Sequence, residues 1–172
     1  MAQAVSHRNS KLLGEDNGGT DHPVCNCRGG PQNCPVGGSC QSKGVVYEAT
    51  VTEQASGKKE TYTGVTARRF KDRLYEHRTD MSKTQNRTKS SLAAHIWDLK
   101  DRGVNYEVSW RIKGRGTKYN PSTKKCRICL KEKHFILYQR EGATLNSRRE
   151  IFNTCTHRRP TLLSELRKTW KT

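Results

Sequence analysis

Seven cysteines, at positions 25, 27, 34, 40, 126, 129 and 155, constrain this chain more than any other feature. An odd number cannot all pair within one chain, and no apolar stretch of signal-peptide length follows Met1. A disulfide framework is therefore disfavoured. The close spacings suggest metal clamps instead. Cys25, Cys27, Cys34 and Cys40 lie as C-x-C-x6-C-x5-C among Gly29-Gly30-Pro31 and Gly37-Gly38. Tetrahedral zinc takes four nitrogen or sulfur ligands, and this loop-rich knuckle supplies all four. Cys126, Cys129 and Cys155 are one ligand short, and His157, two residues after Cys155, supplies it. Two closed Zn²⁺ sites are expected. Four protein ligands leave no place for water, so both sites read as structural. The plainer alternative at the second site is a small buried Cys155 beside a surface His157.

Charge gives the next constraint. The chain has 172 residues, enough for one domain and tails, and a formal net charge of +17. Residues 1–44 carry only +1 of it, so +16 falls on residues 45–172. Such a charge points to a polyanion, with nucleic acid the default partner, or else to a solvated basic surface. Hydrophobic residues make up 31% of the chain, so the core must be small. No apolar run approaches the roughly 20 residues of a membrane span. A membrane or secreted protein is not expected, and an intracellular, nuclear location is.

Hydrophobic periodicity outlines an α+β unit. Residues 1–24 are polar and read as a disordered tail. Residues 25–43 form the knuckle. Val45 to Val51 and Glu60 to Val65 read as two strands around the Ala55-Ser56-Gly57-Lys58 turn, an antiparallel hairpin. Thr66 can cap a helix starting near Ala67, on which Phe70 and Leu74 share one face and Arg69, Arg73 and His77 another. Ser90 or Ser91 caps a second helix with Leu92, Ile96 and Leu99 inward, ended by Gly103. Tyr106, Val108, Trp110 and Ile112 alternate with polar residues as a third strand. Gly114 to Pro121 reads as a basic loop, and Cys126 to Tyr138 as a third helix. Residues 158–172 form a basic tail, with Leu162, Leu163 and Leu166 suited to a short helix.

A phosphodiester hydrolase needs a group that activates water, a cation that holds phosphate and a hard metal ion. The hairpin tyrosines Tyr47 and Tyr62, the Arg73/His77 helix and the lone acid Glu132 between Lys131 and Lys133 are candidates for those parts. Singly each has an ordinary role in packing, solvation or surface ion pairing. Together they resemble the GIY-YIG nuclease family. Val45-Val46-Tyr47 stands at the first motif and Tyr62-Thr63-Gly64 at the second. Arg73 follows Tyr62 at about the family's spacing. His77 is similar to a histidine of several branches, Glu132 to the metal-binding glutamate, and Asn146, after Leu145, to the following asparagine. The knuckle, the Cys126/Cys129 pair and the Cys155-Thr156-His157 ending look most like the endonuclease domain of Penelope-like retrotransposons. The resemblance covers roughly residues 44–157.

The resemblance implies a small three-stranded antiparallel sheet flanked by helices, with zinc-stabilised additions. It implies a metal-dependent DNA endonuclease that nicks target DNA for retroelement insertion, with a reverse transcriptase as partner in the parent element. Tyr47 would orient and deprotonate water, directly or through His77. Tyr62 would bind a phosphate oxygen or position the water, Arg73 would clamp the phosphate, and Glu132 would hold Mg²⁺ or Mn²⁺. Asn146 would brace Glu132 or the loop beside it. The competing reading is a zinc-stabilised nucleic-acid-binding module without activity. Charge and cysteines fit both readings, whereas binding alone needs neither a tyrosine pair nor an isolated acid.

Overall fold

The computed structural model describes residues 24–138 and 144–152, with Cys155 and His157. The expected tails, residues 1–24 apart from Val24 and residues 158–172, lie outside the described residues. β1 (Val45–Glu53) and β2 (Lys59–Thr66) form the expected hairpin, and β3 (Tyr106–Arg115) pairs antiparallel on the other side of β1. The order β2-β1-β3 puts β1, the strand richest in buried residues, at the centre. Among the described residues, three helices of ten residues or more accompany the sheet: α1 (Phe70–Ser82), α2 (Ser91–Asp101) and α3 (Arg127–Tyr138). A short α4 spans Arg148–Phe152. Among the described residues no helix is long and apolar enough to cross a membrane.

Strand alternation divides the sheet into two faces. Val45, Tyr47, Ala49 and Val51 of β1 face the main core with Tyr62, Phe70, Leu74, Leu92, Ile96 and Leu99. Glu48 and Thr50 point to the reverse face. The free edge of β2 does not stand open. Leu145 N donates to Thr61 O at 3.0 Å, and Asn146 both accepts from Thr63 N at 2.7 Å and donates to Thr63 O at 2.8 Å. Pairing the ladder groups of an edge strand in this way removes a site for unwanted strand addition.

Three local expectations are corrected. The first helix begins at Phe70, not Ala67, and Thr66 Oγ1 accepts from Arg68 N at 3.2 Å, before the helix starts. Its capping acceptor comes from the knuckle, whose Ser42 carbonyl takes Phe70 N–H at 2.9 Å. His77 does not share an outer face with Arg69, since it is buried beside Phe70 and Leu74. Gly114 and Arg115 belong to β3, and the remaining basic loop contains a two-residue ladder, β4 (Tyr119–Asn120) with β5 (Lys125–Cys126). The second helix starts as expected, with Ser90 Oγ accepting from Ala93 N at 3.1 Å. Gly103 closes it with φ +67°, a conformation glycine adopts without a Cβ penalty.

Candidate active site and metal centres

Tyr47 lies on the central strand, directly opposite Gly64. A Cβ at position 64 would come within 2.5 Å of the Tyr47 hydroxyl, so the ring crosses β2 only because residue 64 has no side chain. The phenol reaches α1, where residues 73 and 77 are one turn apart. Arg73 Nε donates to Tyr47 Oη at 3.0 Å. Tyr47 Oη and His77 Nε2 are 2.7 Å apart. The guanidinium can only donate, so the phenol accepts from Arg73, and its bond to His77 runs from Oη to a bare Nε2 or from Nε2–H to Oη according to the imidazole tautomer. His77 Nδ1 is buried with no hydrogen-bond partner among the described residues. Tyr62 and Trp110 enclose the imidazole, with ring centroids 5.9 and 5.3 Å away.

Burial sets the protonation states. It pushes Tyr47 up to about 12, against the pull of Arg73. It pushes His77 down to about 3, and Arg73 adds to the effect. Tyr62 is raised by burial and then by the neighbouring Tyr47 and acidic charges. The resting cluster is a neutral phenol and a neutral imidazole beside a permanent cation. Arg73 is also held by Glu76, Nη1 to Oε2 at 2.9 Å, and Glu76 accepts from Arg68 as well.

Glu132 lies half-buried on α3. Its carboxyl is pushed up to about 7, by burial first and then by the charge of Glu150, against Lys133 and Arg73. An acid so placed is short of positive charge, which suits a carboxylate that holds a hard divalent cation. Its charge is felt at both Tyr47 and Tyr62. Asn146 braces the β2 edge, as described, and donates to Glu150 Oε2 at 2.8 Å. Its hydrogen bonds run to Thr63, on the strand carrying Tyr62, and to Glu150 on α4.

Sequence reasoning missed Glu150, Glu76 and Trp110. Glu150 was open to detection. Ser147-x-x-Glu150 is a capping-box spacing, and Ser147 N donates to Glu150 Oε2 at 3.0 Å. Glu76 and Trp110 had no distinguishing local signal.

Both cysteine sets assemble. In each, the four ligand atoms lie within 4.8 Å of one another. Zinc–sulfur bonds of about 2.3 Å in a tetrahedron place sulfurs about 3.8 Å apart. Cys25 and Cys40 Sγ are 3.5 Å apart, and Cys27 and Cys40 Sγ 3.7 Å. In the second set Cys129 and Cys155 Sγ are 3.6 Å apart, and His157 presents Nδ1 at 3.1 Å from Cys129 and 3.7 Å from Cys126. Both clusters could hold zinc. The first is fastened to α1, because Lys71 Nζ donates to Asn26 O at 3.1 Å and to Asn26 Oδ1 at 2.8 Å. Comparisons with protein-family models, curated proteins and solved structures give no match to this chain.

Proposed function

We propose that this chain is a metal-dependent endonuclease of the GIY-YIG type, cutting DNA phosphodiester bonds. The observation that carries the reading is the phenol of Tyr47 held between His77 Nε2 and Arg73 Nε. A water attacking phosphorus must lose a proton. Tyr47 Oη is the acceptor in this reading, and its own proton passes to His77 along the 2.7 Å bond. The transfer is unfavourable at rest, because a new imidazolium would be buried near Arg73. A phosphate placed against Arg73 offsets that repulsion. Arg73, with 28% of its side chain exposed, is the member of the trio that reaches outward. Its planar fork suits a phosphate better than a lysine would. Tyr62 binds a phosphate oxygen or positions the water, and Asn146 keeps its strand in place. Glu132 holds Mg²⁺ or Mn²⁺, which when bound supplies positive charge against the charge developing on the phosphate.

In the cell the reading makes DNA the substrate and target-site nicking for retroelement insertion the task, in the nucleus, with a reverse transcriptase as partner. The alternative, a zinc-stabilised binding module without activity, draws support from one observation. Tyr47 is 0% exposed and its hydroxyl bonds to two side chains, as in an ordinary buried polar network. Nicking of supercoiled plasmid separates the two. Cleavage should require Mg²⁺ or Mn²⁺, should not be restored by Zn²⁺ alone, and should be lost in Tyr47→Phe and Glu132→Gln while DNA binding persists. Wild-type rates in both variants would sink the nuclease reading.

A further inference from the structure

The reverse face of the sheet carries an ionic group that the proposed chemistry does not use. Glu48 alternates with Tyr47 along β1 and so points away from the candidate active site. It is 1% exposed. Arg111 Nε donates to Glu48 Oε1 at 2.5 Å, and Lys113 Nζ donates to Oε2 at 2.9 Å. The pairing of β1 with β3 shifts between Val46 and Tyr47, leaving Lys113 as the extra residue between Ile112 and Gly114. Such a bulge re-aims side chains locally. A wholly buried carboxylate is expensive, and an apolar side chain of similar volume would often be as stable or more so. In a chain with a small core, that cost points to a use for the cations it orients.

Of the two cations, Arg111 faces a cleft of about 570 Å³ lined by Glu48, Thr50, Lys59, Thr61, Ser109 and Arg111, with Trp110. The volume is within the range that takes a nucleotide-sized group. Lys113 is withdrawn, 11% exposed, and offsets Glu48. Arg111 is engaged through Nε, with its side chain 62% exposed, so its guanidinium is oriented from behind and accessible in front. Lys59 is exposed at the start of β2. Once Lys113 offsets Glu48, Lys59 and Arg111 leave the cleft positive, and three hydroxyls add donors. An oriented guanidinium beside a lysine and hydroxyls is phosphate-recognition chemistry.

We propose that this cleft is a second phosphate site, which holds the backbone of a nucleic acid strand on the sheet face opposite Tyr47. The proposal shares the nucleic-acid partner of the proposed function but not its cleavage chemistry. It is tested by binding alone, on the full zinc-loaded chain and a short DNA duplex across a salt series. Lys59→Glu and Ser109→Glu place negative charge in the cleft and spare Glu48, Arg111 and Lys113. Lys83→Glu, on an exposed residue after α1, controls for net charge. Each cleft variant should weaken binding about tenfold and lower the slope of log K against log salt by about one, the value for one phosphate contact. The control should stay within twofold of wild type.

Cleft variants indistinguishable from the control would overturn the site while leaving DNA binding intact. A wild-type chain with no salt-dependent DNA affinity would instead sink the nucleic-acid partner, and this site with it. A parallel NMR titration distinguishes the source of the phosphate. DNA should shift the amides of Thr50, Thr61 and Ser109. Inorganic phosphate shifting them while DNA does not would overturn the strand assignment in favour of a free anion.

Discussion

Tyr47 shows how one hydroxyl can be structural and chemical together. Its removal leaves His77 Nε2 buried without its hydrogen-bond partner and Arg73 Nε without an acceptor. Tyr47→Phe should therefore cost about 1–3 kcal/mol in urea denaturation, the usual penalty for stranding a buried polar group. A cost near zero would mean the bond is not formed in solution. Glu132 gives a pH signature of its own. Its folded pKa is raised from 4.5 to about 7, so without divalent cations the folded state binds the proton more tightly. Its contribution to stability is fully present below about pH 4.5 and is lost as pH rises through about 7. Glu132→Gln does not titrate, so it should melt above wild type at about pH 8 and lose that advantage at about pH 4.5. Added Mg²⁺ should raise the wild-type melting temperature at the higher pH and leave Glu132→Gln unmoved. Equal melting curves at both pH values would mean that Glu132 is solvated and not poised for a cation.

At the scale of elements, the first cysteine knuckle and α1 act as one unit. Ser42 O caps Phe70 N, and Lys71 Nζ grips Asn26 between two cysteines. Zinc binding is coupled to folding in such small sites. Cys25→Ser should thus reduce bound zinc from two ions per chain to one. It should also speed hydrogen exchange in the first turn of α1, at residues 70–74, while α2 amides keep their protection. Unchanged exchange in α1 would show that the knuckle is an independent appendage. The same contact explains the misplaced helix start. Thr66 looked like a cap because threonine before an apolar residue is a local signal, whereas the true acceptor comes from 28 residues earlier in the chain. The hairpin, the Ser90 cap and the Gly103 stop were legible because each depends on neighbouring residues. The pairing of Tyr47 with His77 was readable only as resemblance, since no periodicity shows that residue 77 turns into the core.

Across the whole molecule, a sparse hydrophobic core is flanked by two cysteine clusters that could take zinc and is covered by a basic surface. With 31% hydrophobic residues and a net charge of +17, the folded chain must confine many like charges to a small area. Self-repulsion of this kind disfavours compactness unless a polyanion or salt relieves it. Cysteine spacing made both clusters legible because chelation is local within each pair. The cleft behind Glu48 was not legible, because it joins β1, β2 and β3 across more than sixty residues. The charge prediction belongs to this scale. If about six phosphates are contacted, affinity for duplex DNA should fall on the order of 10³-fold between ~50 and ~200 mM salt, as counterions released on binding are returned to a saltier solution. Fluorescence anisotropy over that range measures it directly. The fall should be the same for wild type and for Glu132→Gln in slope, because that substitution adds no phosphate contact, while the absolute affinity of Glu132→Gln should be higher through loss of a negative charge facing the polyanion. A flat response would identify the positive charge as a solvated surface, and both the endonuclease reading and the second phosphate site would fall together.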